Sequence, residues 1–286
     1  MRSLIFGYGI TGQSFARYLL KNSIDFDIYD QSSVDHPNAF TALPDRKKLE
    51  SYQAVYMSPG VNLRKLYPNN ELKNFLYLTD LDVFFQEDHS YKIGITGTNG
   101  KTSIASMLYE LFRTSPSPSG LISTVAIQYG DLYYPATHTT PDPVSINQHL
   151  SAMVNLGIEN CFMEVSSHGI HQRRISGLEF DGAVFTNLTH DHLDYHKTFK
   201  AYRDTKKILF DSLSKRAFAL VNADDKNGKF MLQNCKGKTH TYALHTLADF
   251  SAQIMENQFK GMLLKIDQKE VWTQLVGEFN AYNLLA

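Results

Sequence analysis

The run Gly97-Thr98-Asn99-Gly100-Lys101-Thr102-Ser103 carries the strongest chemical signal in the chain. Small residues let successive backbone N–H groups close around phosphate oxygens. Lys101 can reach terminal phosphates, and the Thr102 hydroxyl can bind Mg²⁺. A helix starting here would offer its N-terminus to the anion. Ile95 stands where the strict G-x-x-x-x-G-K-[ST] pattern has its first glycine. The nucleotide reading therefore rests on the Gly-Lys-Thr core, with an apolar strand at 93–96 before it and a helical pattern after it.

Other segments could serve the same chemistry. Gly7, Gly9 and Gly12 match the dinucleotide fingerprint, and Asp30 ends the next strand, where a ribose-binding acid would sit. This points to a nucleotide of some kind and leaves its identity open. Glu164 lies at the carboxyl end of a strand, a place suited to holding Mg²⁺. Residues 190–196 contain His190, Asp191, His192, Asp194 and His196. No cysteine or H-E-x-x-H arrangement supports a closed zinc site there, so magnesium and phosphate handling is the better reading. Arg173 and Arg174 could clamp a carboxylate or phosphate, or could be a solvated basic loop. Lys206 and Lys207 read as two solvated lysines. Asn280 and Asn283, one helical turn apart, could read an adenine edge, but by spacing alone they are exposed polar positions.

These residues need a scaffold. Two segments run from an apolar strand through a glycine-rich turn into a helical pattern, at 4–12 and 93–102. The simplest parse is two α/β domains, 1–89 and 90–286, with the boundary near the polar stretch 86–90. Strands are expected at 26–29 and 54–57 in the first. In the second they are expected near 121–127, 160–165, 183–186 and 217–221, with helices at 100–113, 144–156 and 199–213. The stretch 114–120, rich in Ser and Pro, reads as a flexible surface loop. Beyond about residue 249, shorter alternating runs predict antiparallel hairpins. The expected fold class is α/β: a Rossmann-like N-terminal domain, then a P-loop-type, mostly parallel central sheet with a small antiparallel part near the C-terminus.

Composition narrows the class further. The 286 residues are 43% hydrophobic and 20% charged, which excludes a disordered chain. The net charge of −1 gives no ground for a general nucleic-acid role. The only cysteines, Cys161 and Cys235, make no disulfide framework. The first residues lack a signal-peptide core and no segment approaches a membrane span, so a cytoplasmic protein without membrane insertion is expected.

Taken together, the motifs resemble the Mur ligase family, ATP-dependent enzymes that add amino acids to the UDP-muramoyl peptide of cell-wall precursor. The carrying segments are 94–102, Thr139-Thr140-Pro141, Met163-Glu-Val-Ser-Ser-His-Gly169, 185–196, Val221-Asn-Ala-Asp-Asp225 and 277–286. The second domain resembles the MurE type, whereas Gly7–Gly12, Asp30 and Ser58-Pro59-Gly60 resemble the UDP-binding domain of the MurD type. The resemblance implies an acyl-phosphate ligase acting on UDP-N-acetylmuramoyl-L-alanyl-D-glutamate, with ATP and Mg²⁺. The MurD reaction, adding D-glutamate, and a non-catalytic UDP-muropeptide-binding protein are its alternatives. It also implies a monomer lacking the family's third domain and inactive alone.

By the same resemblance, Gly97, Thr98, Asn99, Gly100, Lys101, Thr102 and Ser103 would bind ATP phosphates, and Asn280 and Asn283 would flank the adenine. Thr102, Glu164 and His192 would hold metal. Lys206 would join them if carbamylated, and Lys101, Glu164, His192 and Lys206 would form the catalytic set. Thr139, Thr140, Ser166, Gln172 and Arg174 would hold the muramoyl-peptide. Ile10, Thr11 and Asp30 would hold uracil and ribose.

Overall fold

The computed structural model describes residues 2–69, 71–72, 74–80, 82–83, 90–113 and 115–286. The chain divides into two compact units, Met1–Asp88 and His89–Ala286. Of the boundary expected at 86–90, all but Ser90 lies outside the described residues.

In the first unit, β1 (Ser3–Phe6), β2 (Phe26–Tyr29), β3 (Ala39–Phe40) and β4 (Val55–Met57) form a parallel sheet. Their order is β3-β2-β1-β4. A strand as uniformly apolar as Leu4-Ile5-Phe6 fits because both faces of the sheet are covered. Ile5 and Ile28 pack with Phe15 and Leu19 of the helix Ile10–Lys21. Leu4 and Phe6 pack with Leu49 and Tyr67 on the other face. At Gly12 the helix approaches the Gly7 carbonyl so closely that a Cβ would overlap it. Only glycine lets the helix start against the end of β1.

The second unit is built on β5 (Tyr91–Thr96), β6 (Ser119–Ile122), β7 (Ala126–Tyr129), β8 (Leu132–Pro135), β9 (Asn160–Glu164) and β10 (Gly182–Phe185). It continues through β11 (Phe218–Asn222), β12 (Lys238–Ala243), β13 (Phe250–Gln258), β14 (Gly261–Ile266) and β15 (Lys269–Thr273). One sheet runs β15-β14-β13-β12-β11-β10-β5-β9-β6-β7-β8. It is parallel from β6 across to the short β12–β13 pairing, and antiparallel at both margins. From β5 the chain steps past the place of β9 to reach β6, then fills β9 and crosses to β10. The carboxyl ends of β5, β9 and β10 are therefore neighbours at a point where connections diverge, which is where open α/β sheets bind ligands.

Beneath these ends lies the core. Ile104 and Ala105 of the helix Lys101–Arg113 pack on Ile95, Phe162, Val184 and Tyr242. Each such burial contributes roughly 1.5–3 kcal/mol for the large side chains. Asp142 caps the helix Pro143–Asn155, and Thr198 caps Phe199–Asp211 through the Ala201 N–H. No helix among the described residues is long and apolar enough to cross a membrane.

Two local expectations need correction. The run expected as one strand at 121–127 is the end of β6, a turn, and the start of β7. Ser119 and Gly120, expected in a flexible loop, are buried strand residues. The Ser119 hydroxyl donates to the Tyr109 carbonyl, so a polar side chain is accommodated inside. The hairpins beyond residue 249 form as expected, from β13 to β15.

Candidate active site

The loop after β5 is held in shape by the segment after β10. The Thr98 N–H donates to the Asn187 carbonyl at 2.8 Å, and the Asn99 N–H donates to Asn187 Oδ1 at 3.0 Å. The Thr186 hydroxyl donates to the Asn99 carbonyl at 2.6 Å. At Gly100 φ is +87°, a backbone that disfavours side chains, and a Cβ there would overlap Asn283 Oδ1. The loop thus keeps its form before any anion arrives.

Two lysines converge on it. Lys101 Nζ donates to the carbonyls of Gly97 and Thr98, at 3.1 and 2.9 Å. Lys206 Nζ donates to the Gly97 carbonyl at 3.0 Å and lies 3.4 Å from Thr96 Oγ1. Lys206 is only 1% exposed and Lys207 is buried too, so the reading of two solvated lysines is wrong. From the helix Phe199–Asp211, Lys206 reaches the end of β5, whereas Lys207 is paired with Asp211 and donates to the Gln233 carbonyl. Burial pulls the Lys206 ammonium well below the usual lysine range, and the charge of Lys101 adds to it. Burial also lowers Lys101, opposed by Glu164 and Asp191.

Glu164 ends β9 fully buried. Its Oε1 accepts the Thr124 N–H at 2.8 Å, but its Oε2 is buried without a hydrogen-bond partner. An unpaired carboxylate oxygen in the interior is costly, and a hard cation would satisfy it. Among the described residues, no group of three or more His, Cys, Asp or Glu converges as a metal cage. A cation at Glu164 would therefore rely on few protein ligands and complete its shell with substrate and water, as Mg²⁺ commonly does. The residues fit magnesium and do not form a closed zinc site.

A cavity of 480 Å³ gathers Gly97, Lys101, Thr139, Thr140, Ser166, Gln172, Arg174, His192 and Lys206. Arg174 is braced: Nη1 donates to the Thr140 carbonyl at 2.6 Å, and Nε and Nη2 to Gln172 Oε1 at 2.9 and 2.6 Å. The Thr140 hydroxyl lies between the Glu164 carbonyl and Ser166 Oγ, at 2.9 and 3.1 Å. Thr139 accepts from the Thr124 hydroxyl at 3.1 Å. Thr102 and Ser103 sit in the first turn of the helix Lys101–Arg113. His192 has φ +52°, and its ring meets His168 edge-on at 4.9 Å.

The last helix, Glu278–Leu285, also reaches the loop. Asn283 is buried against Gly100, so the reading of an exposed polar position is wrong for it. Asn280 is half-buried one turn away, its Oδ1 accepting from Asn283 Nδ2 at 3.3 Å.

In the first unit, Ile10, Thr11 and Asp30 line a separate cavity of 570 Å³ with Ser58, Gly60 and Lys65. Asp30 Oδ2 accepts the Tyr8 N–H at 2.6 Å, and Oδ1 accepts the Ser32 N–H at 2.8 Å. No side chain caps the helix Ile10–Lys21, whose first turn borders this cavity.

Comparison with known proteins fixes the family. Residues 95–286 match the Mur ligase middle domain. The chain belongs to the Mur ligase family. A UDP-N-acetylmuramoyl-L-alanyl-D-glutamate–2,6-diaminopimelate ligase of Phocaeicola vulgatus is 54% identical over 194 residues, covering 68% of this chain and 40% of that protein. The protein of the same name from Parabacteroides distasonis is 56% identical over 194 residues, with the same coverage. This Mur ligase chain thus spans about 40% of the length of these curated relatives. A solved structure of a UDP-N-acetylmuramoyl-L-alanyl-D-glutamate–2,6-diaminopimelate ligase superposes with a TM-score of 0.61 at 24% identity, over 99% of this chain and 55% of that one. That likeness shows a shared fold.

Around the 480 Å³ cavity, sequence reasoning missed Thr124, Ser167 and His168. The Ser167 hydroxyl is buried without a partner at the cavity wall. His196 is buried against Tyr202 and His168, its Nε2 unpaired. Burial and the neighbouring His168 pull it down to about 4. Residues 190–196 were legible as ligand-rich, but nothing in their spacing separates a core histidine from a cavity-facing one.

Proposed function

We propose that the chain belongs to an ATP-dependent amide ligase that extends UDP-N-acetylmuramoyl-L-alanyl-D-glutamate by one amino acid. The names of the curated relatives support this substrate, and 2,6-diaminopimelate is the amino acid those names carry. The observation that carries the reading is the buried, unpartnered Oε2 of Glu164 beside a loop on which two lysines converge. That combination suits a divalent cation and a polyphosphate together.

In this reading the first unit, with Ile10, Thr11 and Asp30, holds the uridine diphosphate. The second holds ATP on residues 97–103 with Asn280 and Asn283 at the adenine. Thr139, Thr140, Ser166, Gln172 and the braced Arg174 hold the muramoyl-peptide. Bound Mg²⁺, held by Thr102, Glu164, His192 and a carbamylated Lys206, would supply charge neutralisation between two anions. Lys101 would leave its loop carbonyls and follow the terminal phosphate. Its charge favours attack by the peptide carboxylate on the γ-phosphorus. The products of that step are an acyl phosphate and ADP. The incoming amine then displaces inorganic phosphate and forms the amide. The protein would work as a cytoplasmic monomer.

Calorimetry tests the reading. UDP-muramoyl-L-alanyl-D-glutamate and ATP–Mg²⁺ should each bind the chain. Tighter binding of UDP-muramoyl-L-alanine would favour the MurD reaction, which the Gly7–Gly12 fingerprint and Asp30 also suit. Binding of the UDP ligand without ATP would favour a non-catalytic binding protein, and binding of neither would overturn the assignment.

A further inference from the structure

The segment Val221-Asn-Ala-Asp-Asp225 has no role in the reading above, yet its two carboxylates are among the most heavily bonded in the second unit. Asp224 accepts four donors at the end of β11. The Leu244 and His245 N–H groups reach Oδ2 at 2.8 and 3.0 Å, and the Thr246 N–H reaches Oδ1 at 2.9 Å. The fourth is the Tyr282 hydroxyl, on Oδ2 at 2.8 Å. Tyr282 belongs to the helix that lays Asn283 on Gly100.

Asp225 points the other way. Its Oδ2 accepts the Leu188 N–H at 2.7 Å, and its Oδ1 accepts Asn227 N–H and Nδ2 at 2.7 and 2.9 Å. Leu188 follows Asn187, whose side chain clasps Asn99. Both flanks of the phosphate loop, Asn283 on one side and Asn187 on the other, are thus tied to neighbouring carboxylates of one turn. Hydrogen bonds to an ionised acceptor are stronger than neutral ones, so this turn is a stiff anchor.

We propose that Asp224 and Tyr282 are positioning residues for nucleotide binding: their hydrogen bond seats the helix Glu278–Leu285, and through Asn283 that helix fixes the phosphate loop at Gly100. The inference rests on residues 97–103 being the ATP site. It adds that affinity for ATP is set partly by a carboxylate and a phenol that need not touch the nucleotide. Tyr282→Phe removes only the hydroxyl and keeps the ring in the core.

The test measures ATP–Mg²⁺ and UDP binding by calorimetry, together with hydrogen exchange of the ligand-free chain. Tyr282→Phe should weaken ATP by about tenfold and leave UDP within about twofold of wild type. Amides of 97–103 should exchange faster in the variant along with those of 278–286. ATP affinity within about twofold of wild type, or equal weakening of ATP and UDP, overturns the proposal. So does faster exchange confined to 278–286. If wild type fails to bind ATP, the ATP reading falls, and the exchange of 97–103 alone decides whether the turn holds the loop.

Discussion

Lys206 and Lys101 donate to one acceptor, the carbonyl oxygen of Gly97, at 3.0 and 3.1 Å. Two ammonium groups on one oxygen repel each other, and Lys206 is the one deep in the protein. It donates to a carbonyl and a hydroxyl, neither of which balances a full charge. Burial therefore shifts Lys206 towards the neutral amine, the form that reacts with carbon dioxide. A carbamate would turn the repulsion with Lys101 into attraction. With ¹³C-bicarbonate, the wild type should show a carbamate resonance that Lys206→Ala lacks. Absence of that resonance in the wild type under saturating bicarbonate would remove Lys206 from the metal set.

Glu164 makes a prediction of opposite signs in two measurements. Its Oε2 is buried and without a hydrogen-bond partner, so Glu164→Gln removes an interior charge that is only partly offset, by Lys101 and the Thr124 N–H. Without divalent cation, the variant should be as stable as the wild type or more so in urea denaturation. With Mg²⁺ and ATP, the wild type should gain stability by linkage and the variant should gain little. Equal gains in both proteins would place the cation elsewhere.

His196 should make the fold sensitive to mild acid. Its pKa lies at about 4 in the folded chain, against about 6.5 for an ordinary histidine. Above about pH 6.5 both states are neutral there and no stability is at stake. As pH falls from about 6.5 towards 4, the unfolded chain takes up a proton that the folded chain refuses, so stability declines across that window. His196→Phe keeps a ring against Tyr202 and should flatten that part of the stability–pH curve, read by denaturant titration. An unchanged slope would mean that another group carries the acid sensitivity.

How much of this was readable in the sequence follows from which interactions are local. The phosphate loop was legible because glycine, lysine and threonine at adjacent positions state their chemistry within one turn. Glu164 was legible as a strand-end carboxylate. Lys206 was not, since its burial depends on how the helix Phe199–Asp211 meets the end of β5, more than a hundred positions earlier. Only the family resemblance singled it out. Asn283 was misjudged for the same reason: nothing within its own helix shows that this side chain faces Gly100 rather than water. The break between β6 and β7 was missed because Ser123 and Thr124 interrupt the apolar run without a glycine or proline to mark a turn, while the Ser123 hydroxyl, bonded to the Ala126 carbonyl, makes it.

The contact between Gly100 and Asn283 can be separated from the backbone requirement at Gly100. At φ +87° an alanine costs roughly 1–2 kcal/mol by strain alone. Its Cβ would also overlap Asn283 Oδ1, forcing the last helix outward. Gly100→Ala should therefore lose more stability than strain predicts and should weaken ATP binding. In an Asn283→Ala background the overlap is gone, so the same substitution should cost only the strain. A double-mutant cycle in urea then gives a coupling energy of about 1 kcal/mol or more between the two positions. Equal losses in both backgrounds would show that the helix yields freely and that Asn283 does not fix the loop.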